Sequence, residues 1–417
     1  MLNASIYPSL ESCFSIALRI CKEIWRIPAL GPENGGEGEE QKALALARAL
    51  GEATSFPAPE RFDAEDPRVP SGIRPNLVYR WPAVEGAPRI WFLLHLDVVP
   101  AGDPEAWSSP PFEPTERKGR IYGRGTEDNG AGLVSVLAAL MGLEAAAPDR
   151  LRNIGLVLAA DEEVSSRWGI LHLLKQENLF KPGDLFIVPD GGEPEGLEIE
   201  VAEKGLLWLK IAISGRQGHA SRPDEACNAV LAGSRIMLEL NALEEELLVR
   251  DSLFEPPRST LVPTLRISDQ NGINSIPAKD LFYLDCRILP DYDLDTVLAS
   301  VEKRCREVAE ATGTEIQVET VDRTEASRSD SRHPLIAQFK RRVEEAKGKE
   351  VRFVGAGGST VAAYLRHAGY AAVVWASICD TAHTVDEYMR PNAAKEDAAV
   401  LLDFLLGVDD RDSTLGE

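Results

Sequence analysis

The sequence predicts an α/β protein in which a mixed-sheet domain is interrupted by a ferredoxin-like insertion. Three observations carry that expectation. The run I-W-F-L-L-H-L-D-V-V-P at residues 90–100 is continuously apolar and rich in bulky and β-branched side chains, as suits a strand buried on both faces of a parallel or mixed sheet. Strand and helix patterns alternate around it and resume after residue 334. Between residues 205 and 321 the order changes to β-α-β-β-α-β, a unit that forms a compact domain by itself. The expected domains are residues 1–204 with 323–417, and an inserted domain over 205–322.

Composition narrows the function classes. A chain of 417 residues has room for two or three domains. A net charge of −22 with no basic stripe to offset it excludes nucleic acid as a partner. Any anionic substrate must then be caught by locally placed Arg or His. The six cysteines show no C-x-x-C spacing, so they read as reduced, structural thiols of a cytoplasmic protein. The N-terminal residues lack a basic, then apolar, signal pattern, and no run of 18 apolar residues offers a membrane span.

Taken in order, Cys13, Ile16, Ala17, Ile20, Cys21 and Ile24 fall at helical spacing within residues 9–26. The segment G-P-E-N-G-G-E-G-E-E has glutamates where a phosphate cradle needs lysine, so it is a loop, with a helix over 41–50 behind it. Strands at 76–81 and 89–99, separated by E-G-A-P, are expected to form a hairpin. A helical run follows I-Y-G-R-G-T-E-D-N-G-A-G, and two further strands end in Asp161-Glu162-Glu163 and in Asp190. The insertion comprises strands starting at 205, 259, 281 and 314 and helices over 224–248 and 294–311. Residues 322–333, polar throughout, read as its exit linker. The remaining elements are a helix, the strand V-R-F-V, the turn G-A-G-G-S-T, the helix V-A-A-Y-L-R and the strand A-A-V-V-W-A-S. C-D-T-A-H-T-V-D-E comes next, then a helix over 391–406 and a tail expected to be disordered.

Ionisable residues recur at the ends of these strands. His95 and Asp97, two apart on one strand, should point to the same side. An imidazole beside a carboxylate is how a metal-binding histidine is oriented, and a buried ionisable pair calls for a compensating cation. Asp128 just before a helix, Glu162 and Glu163, Asp190, and His383 reach the same kind of edge, where ligands of open α/β sheets bind. Competing readings are a His–Asp pair that only stiffens the sheet, a helix N-cap at Asp128, and solvated acids. Two His and several Asp/Glu match a divalent site, with zinc the leading metal.

The motifs H-L-D-V-V-P, Y-G-R-G-T-E-D-N-G, D-E-E and A-H-T-V-D-E, in that order, resemble the di-zinc family of aminoacylases, succinyl-diaminopimelate desuccinylases, acetylornithine deacetylases, carboxypeptidases and dipeptidases. The resemblance covers nearly the whole chain. It implies a zinc-peptidase type of catalytic domain with an inserted lid and dimerisation domain, two zinc ions per chain (cobalt or manganese as substitutes), and a homodimer formed through the insertion. It implies that His95 and Asp190 hold one metal, Glu163 and His383 the other, and that Asp128 bridges them. Asp97 would orient His95, and Glu162 would be the general base. In the insertion, His219 of G-R-Q-G-H-A-S-R-P would stabilise the oxyanion, in its own subunit or in a partner. Asn274 and Arg287 would hold the substrate carboxylate, and the loop with Gly358, Ser359 and Thr360 would meet the substrate backbone. His172, His333 and His367 are read as structural or solvated.

Two departures bear on the substrate. Bacterial desuccinylases and aminoacylases usually have Glu at the position of Asp190, whereas several carboxypeptidases and dipeptidases have Asp, and Asn129 stands where many members carry another polar residue followed by lysine. E-D-N-G, G-G-S-T-V-A-A-Y-L-R and V-V-W-A-S look closest to a desuccinylase-like branch of archaea and some bacteria. The expected activity is hydrolysis of an N-acyl amino acid beside a free carboxylate. A dipeptidase or carboxypeptidase is the alternative, and a non-catalytic metal-binding interaction protein a distant one.

Overall fold

The computed structural model describes residues 7–268, 272–358 and 360–408. Ser359 and the tail beyond Val408 lie outside the described residues. The chain divides into two compact units. The first comprises Met1–Val201, Ser329–Phe353 and Thr360–Glu417, the second Ala202–Arg328 and Val354–Ser359.

The first unit is built on a mixed sheet. Seven neighbouring strands run, in order across the sheet, Glu60–Arg61, Leu77–Arg80, Ile154–Ala159, Ile90–His95, Leu185–Gly192, Ala371–Ala376 and Glu198–Glu203. The four from Ile154–Ala159 to Ala371–Ala376 are mutually parallel, and their neighbours on either side are antiparallel. Strand Ile90–His95 is buried at every residue. Ile90, Phe92 and Leu94 enter one core with helices Tyr7–Ile24, Gly130–Ala146 and Pro391–Gly407, while Trp91 and Leu93 enter a second beneath helix Val361–His367. Alternate residues thus bury on opposite faces, which is why the run shows no polar alternation.

Trp91 also dictates its neighbour. A Cβ on Gly155, opposite Trp91 in the parallel register, would lie 2.0 Å from the indole. The expected hairpin does not form. Strand Ile154–Ala159 lies between the two strands, antiparallel to Leu77–Arg80 and parallel to Ile90–His95. A strand apolar on both faces is satisfied by a parallel neighbour on each side, which a two-strand hairpin cannot provide. Among the described residues no helix is long and apolar enough to cross a membrane.

The second unit is an antiparallel sheet in the order Thr260–Ser268, Lys279–Ile288, Gly205–Ser214, Glu315–Thr324. Helices Ala229–Glu246 and Leu294–Thr312 pack on one face around Leu209, Ile211, Phe282 and Leu284, giving the ferredoxin-like pattern. Asn228 and Asp293 cap the two helices by accepting from the amides of Leu231 and Thr296. The last strand continues to Thr324, into residues expected to be linker, because Leu206 pairs with Thr324 on the neighbouring strand. Most of that strand is exposed, so polar side chains do not oppose it.

Candidate metal centre

The parallel strands deliver the ionisable residues to their carboxyl ends. His95 is the last residue of its strand, Asp190 lies within Leu185–Gly192, and Glu162 and Glu163 sit in the turn after Ile154–Ala159. Asp128 precedes helix Gly130–Ala146 and His383 follows strand Ala371–Ala376.

Asp128 is the centre of the cluster. One carboxylate oxygen lies 2.9 Å from His95 Nε2, the other 3.0 Å from His383 Nε2. His383 Nε2 is also 2.9 Å from Glu163, and His95 Nε2 is 3.6 Å from Asp190. Donor atoms of His95, Glu162 and Asp190, and those of His95, Asp128 and Glu163, form two groups whose members all lie within 4.8 Å of one another. The capping alternative fails for Asp128. The residue at the helix N-cap is Asn129, and no side chain caps there.

His95 Nδ1 lies 3.0 Å from the carbonyl oxygen of Asp97 and 3.5 Å from its carboxylate. Asp97 falls just beyond the strand end. Its carboxylate accepts from the amides of Glu162 and Glu163, both at 3.0 Å. It therefore fixes the acidic turn as well as lying beside the imidazole. Asp161 turns away from the cluster. Its φ of 60° is left-handed, a conformation Asp tolerates better than most residues. Its carboxylate accepts from the Ser165 hydroxyl at 2.7 Å and the Trp168 amide at 3.2 Å. The D-E-E triplet thus splits into one brace and two site residues. His383 is also left-handed, with φ 62°.

Electrostatics show how closely the acids of the cluster are crowded. Burial, reinforced by the charge on Asp128, pushes the Asp190 carboxyl up to about 7. Burial and the neighbouring Asp190 charge hold Glu162 well above the usual carboxylate range, and burial raises Glu163. Hydrogen bonds to Asp128 and Glu163 raise His383 to about 10. Burial would lower His95, but Asp190, Asp128 and Asp97 together hold it well above the ordinary imidazole value. In each case protons supply positive charge to crowded oxygen atoms. A divalent cation would supply it without protonation, and an N/O donor set of two imidazoles and several carboxylates suits one. The residues present fit a metal site.

The reading from sequence overlooked the supports of this cluster. Glu127 and Glu387 are buried beside Asp128 and in the His383 loop, and they bond across the two segments that carry those residues. Fully buried Arg74 donates to Glu39 at 2.6 Å and lies 3.7 Å from Asp161. The only signal for the two glutamates was an unassigned acid within each quoted motif, T-E-D-N and V-D-E. Arg74 carried none.

In the second unit, His219 is exposed in a short strand, Gly218–His219, paired with Ser275–Ile276. Its Nδ1 accepts from the Ser221 amide at 3.1 Å. Asn274 is exposed on the adjoining segment, and its carbonyl accepts from the Ala220 amide. Arg287 donates to both carboxylate oxygens of Asp285, at 2.7 and 3.1 Å, and to the Gly357 carbonyl at 2.8 Å. Thr360, in the first unit, caps helix Val361–His367 by accepting from the Ala362 amide, and Gly358 is exposed. Of the other histidines, His172 lies 3.3 Å from Gln176 Nε2 and away from the cluster.

The chain is similar to known proteins over most of its length. The model of peptidase family M20/M25/M40 matches residues 91–407. An uncharacterized metallohydrolase of Methanocaldococcus jannaschii is 32% identical, over 93% of this chain and 98% of its own. A succinyl-diaminopimelate desuccinylase of Rickettsia bellii is 27% identical, over 76% of this chain and 81% of its own. Among solved structures, an M20 family metallo-carboxypeptidase of Sulfolobus solfataricus superposes with a TM-score of 0.70 at 17% identity, covering 93% of this chain and 98% of that one. Human carnosine dipeptidase 1 gives 0.70 at 16% identity, covering 96% and 98%.

Proposed function

The chain belongs to peptidase family M20/M25/M40 and is a metallohydrolase of that family, and from that premise we propose that it is a zinc-dependent amidohydrolase acting on N-acyl amino acids, of desuccinylase-like specificity. The observation that carries this reading is Asp128 set between two imidazoles, with Glu163 and Asp190 beside them.

His95 and Asp190 would hold one zinc ion, Glu163 and His383 a second, with Asp128 shared. When bound, such ions supply Lewis acidity to the scissile carbonyl and make water a better nucleophile at neutral pH. Glu162 is assigned the general base. It takes a proton from the attacking water and returns it to the leaving amine. Its backbone is held by Asp97. Asp97 also orients His95 through Nδ1.

The second unit is assigned as a lid and dimerisation domain. His219 donates to the oxyanion, in its own subunit or across a homodimer, and Nε2 is the nitrogen left for that because Nδ1 faces Ser221. Arg287 and Asn274 receive the substrate carboxylate. Asp285 fixes one edge of the guanidinium and the Gly357 carbonyl takes a third N–H, so two of its five N–H donors remain for an anion. The loop with Gly358, Ser359 and Thr360 is assigned to the substrate backbone. The scattered cysteines, all free in the structure, fit work in the cytoplasm.

Asp190 in place of Glu favours a second reading, a dipeptidase or carboxypeptidase. A metal-binding protein without catalysis would have no use for Glu162. One panel decides among them: N-succinyl, N-acetyl and dipeptide substrates presented to zinc-loaded protein, with a chelated control. Preference for N-succinyl amino acids supports the leading reading, preference for dipeptides supports the second, and hydrolysis that survives chelation rejects both.

A further inference from the structure

Asp128 and His383 are 255 positions apart in sequence, and neither lies inside a regular element. Asp128 belongs to the segment that enters helix Gly130–Ala146, and His383 to the segment between strands Ala371–Ala376 and Tyr388–Met389. Irregular backbone of this kind has no ladder to fix its position, so its amides must find other acceptors. Here each segment supplies the acceptor for the other.

Glu127 reaches across and accepts from the amides of Cys379 and Thr381, and from the Thr381 hydroxyl at 2.6 Å. Glu387 reaches back and accepts from the amides of Glu127 and Asp128, at 2.9 and 3.1 Å. Its second oxygen pairs with the guanidinium of Arg124, which also donates to the Pro100 carbonyl at 3.2 Å. Both glutamates are buried, at 3% and 0% exposure. A buried carboxylate is costly unless several donors converge on it, and here they do. Each glutamate therefore sits close in sequence to one proposed ligand while gripping the backbone that carries the other.

We propose that Glu127 and Glu387 form a reciprocal clamp that sets the spacing between Asp128 and His383, and so governs affinity at the metal position shared by Asp128, Glu163 and His383. They are positioning residues and touch neither metal nor substrate. The inference rests on the two-metal reading above. Loss of such outer supports typically lowers metal affinity by about 10- to 100-fold.

The test compares the wild-type chain with Glu127→Gln and Glu387→Gln, which keep side-chain volume and one acceptor oxygen. Calorimetric titration of zinc into metal-free protein should show two binding events in the wild type. In each variant one event should weaken by about 10- to 100-fold while the other changes far less. Amide hydrogen exchange of the metal-free proteins gives an independent readout. Exchange at residues 379 and 381 should quicken in Glu127→Gln, and at 127 and 128 in Glu387→Gln. A merely structural role would instead quicken both segments together through general unfolding.

Two wild-type-like zinc events in both variants, or exchange that rises without the crossed pattern, would overturn the clamp. Should a glutamine variant not fold, Thr381→Val removes the hydroxyl contact to Glu127, and with it the hydroxyl's contacts to the Tyr388 backbone, while leaving both amide contacts to Glu127 in place. It should weaken the same event by a few-fold (about 1 kcal/mol for one hydrogen bond), and an unchanged titration would overturn the clamp as well. If the wild type takes up no zinc, the metal reading fails by itself, while the exchange pattern still judges the clamp.

Discussion

Replacing Asp97 by Asn isolates a single carboxylate with two duties. The side chain is buried, at 2% exposure, and accepts from the amides of Glu162 and Glu163 at 3.0 Å each, with His95 Nδ1 3.5 Å away. Hydrogen bonds to an ionised acceptor contribute roughly 1.5–3 kcal/mol each. Asn keeps one acceptor oxygen but presents an N–H group to the other amide, so one bond is weakened and one becomes a donor facing a donor. The net loss should be about 2–5 kcal/mol in unfolding free energy, measured by urea titration of metal-free protein so that zinc linkage does not enter. The turn that carries Glu162 would also loosen, and misplacement of a catalytic group by about 1 Å can cost about 100-fold in rate. With zinc saturating, kcat should fall by that order and KM much less. A midpoint unchanged within error and turnover within twofold of wild type would show that Asp97 holds neither the turn nor the base.

Glu162→Gln should lower kcat by about 100- to 10,000-fold while zinc content, measured by elemental analysis, stays at the wild-type value; full activity would remove Glu162 from the mechanism. Arg287→Lys loses the forked contact with Asp285 and should raise KM about tenfold (roughly 1.4 kcal/mol) with little change in melting temperature. Unaltered KM would take the substrate carboxylate elsewhere. The pH dependence of the metal-free protein follows from the raised groups. Asp190 moves from an ordinary 3.8 to about 7 and His383 from 6.5 to about 10, so the folded state binds more protons than the unfolded one between those values, and stability should fall as pH rises from about 5 to about 9. Zinc should reverse the trend over that range, since protons compete with it for the same atoms; denaturation midpoints at several pH values, with and without zinc, check both.

Much of this architecture was legible because burial leaves a pattern. The two-faced strand 90–95, the parallel neighbours ending in Asp190 and in the acidic turn, and the β-α-β-β-α-β order of the insertion all follow from apolar spacing and appear in the structure. What escaped depends on partners distant in sequence. The turn E-G-A-P suggested a hairpin because local signals cannot reveal that strand Ile154–Ala159 lies between its two flanks. The exit from the insertion looked like a linker because an exposed edge strand needs no apolar residues. Asp97 and His95 did lie together, yet the amides that Asp97 holds come from a turn 65 and 66 positions later. Glu127 and Glu387 were invisible for the same reason. An acid that accepts backbone amides across the site has the same one-letter appearance as a solvated one.

The pairing of His95, Asp128, Glu163, Asp190 and His383 around two cations is most directly tested by anomalous diffraction at the zinc edge from crystals of zinc-loaded protein. The expected map holds two peaks, one contacted by His95 and Asp190, the other by Glu163 and His383, with Asp128 touching both. A single peak elsewhere, or none at these five side chains, would contradict the two-metal site and the hydrolysis assigned to it.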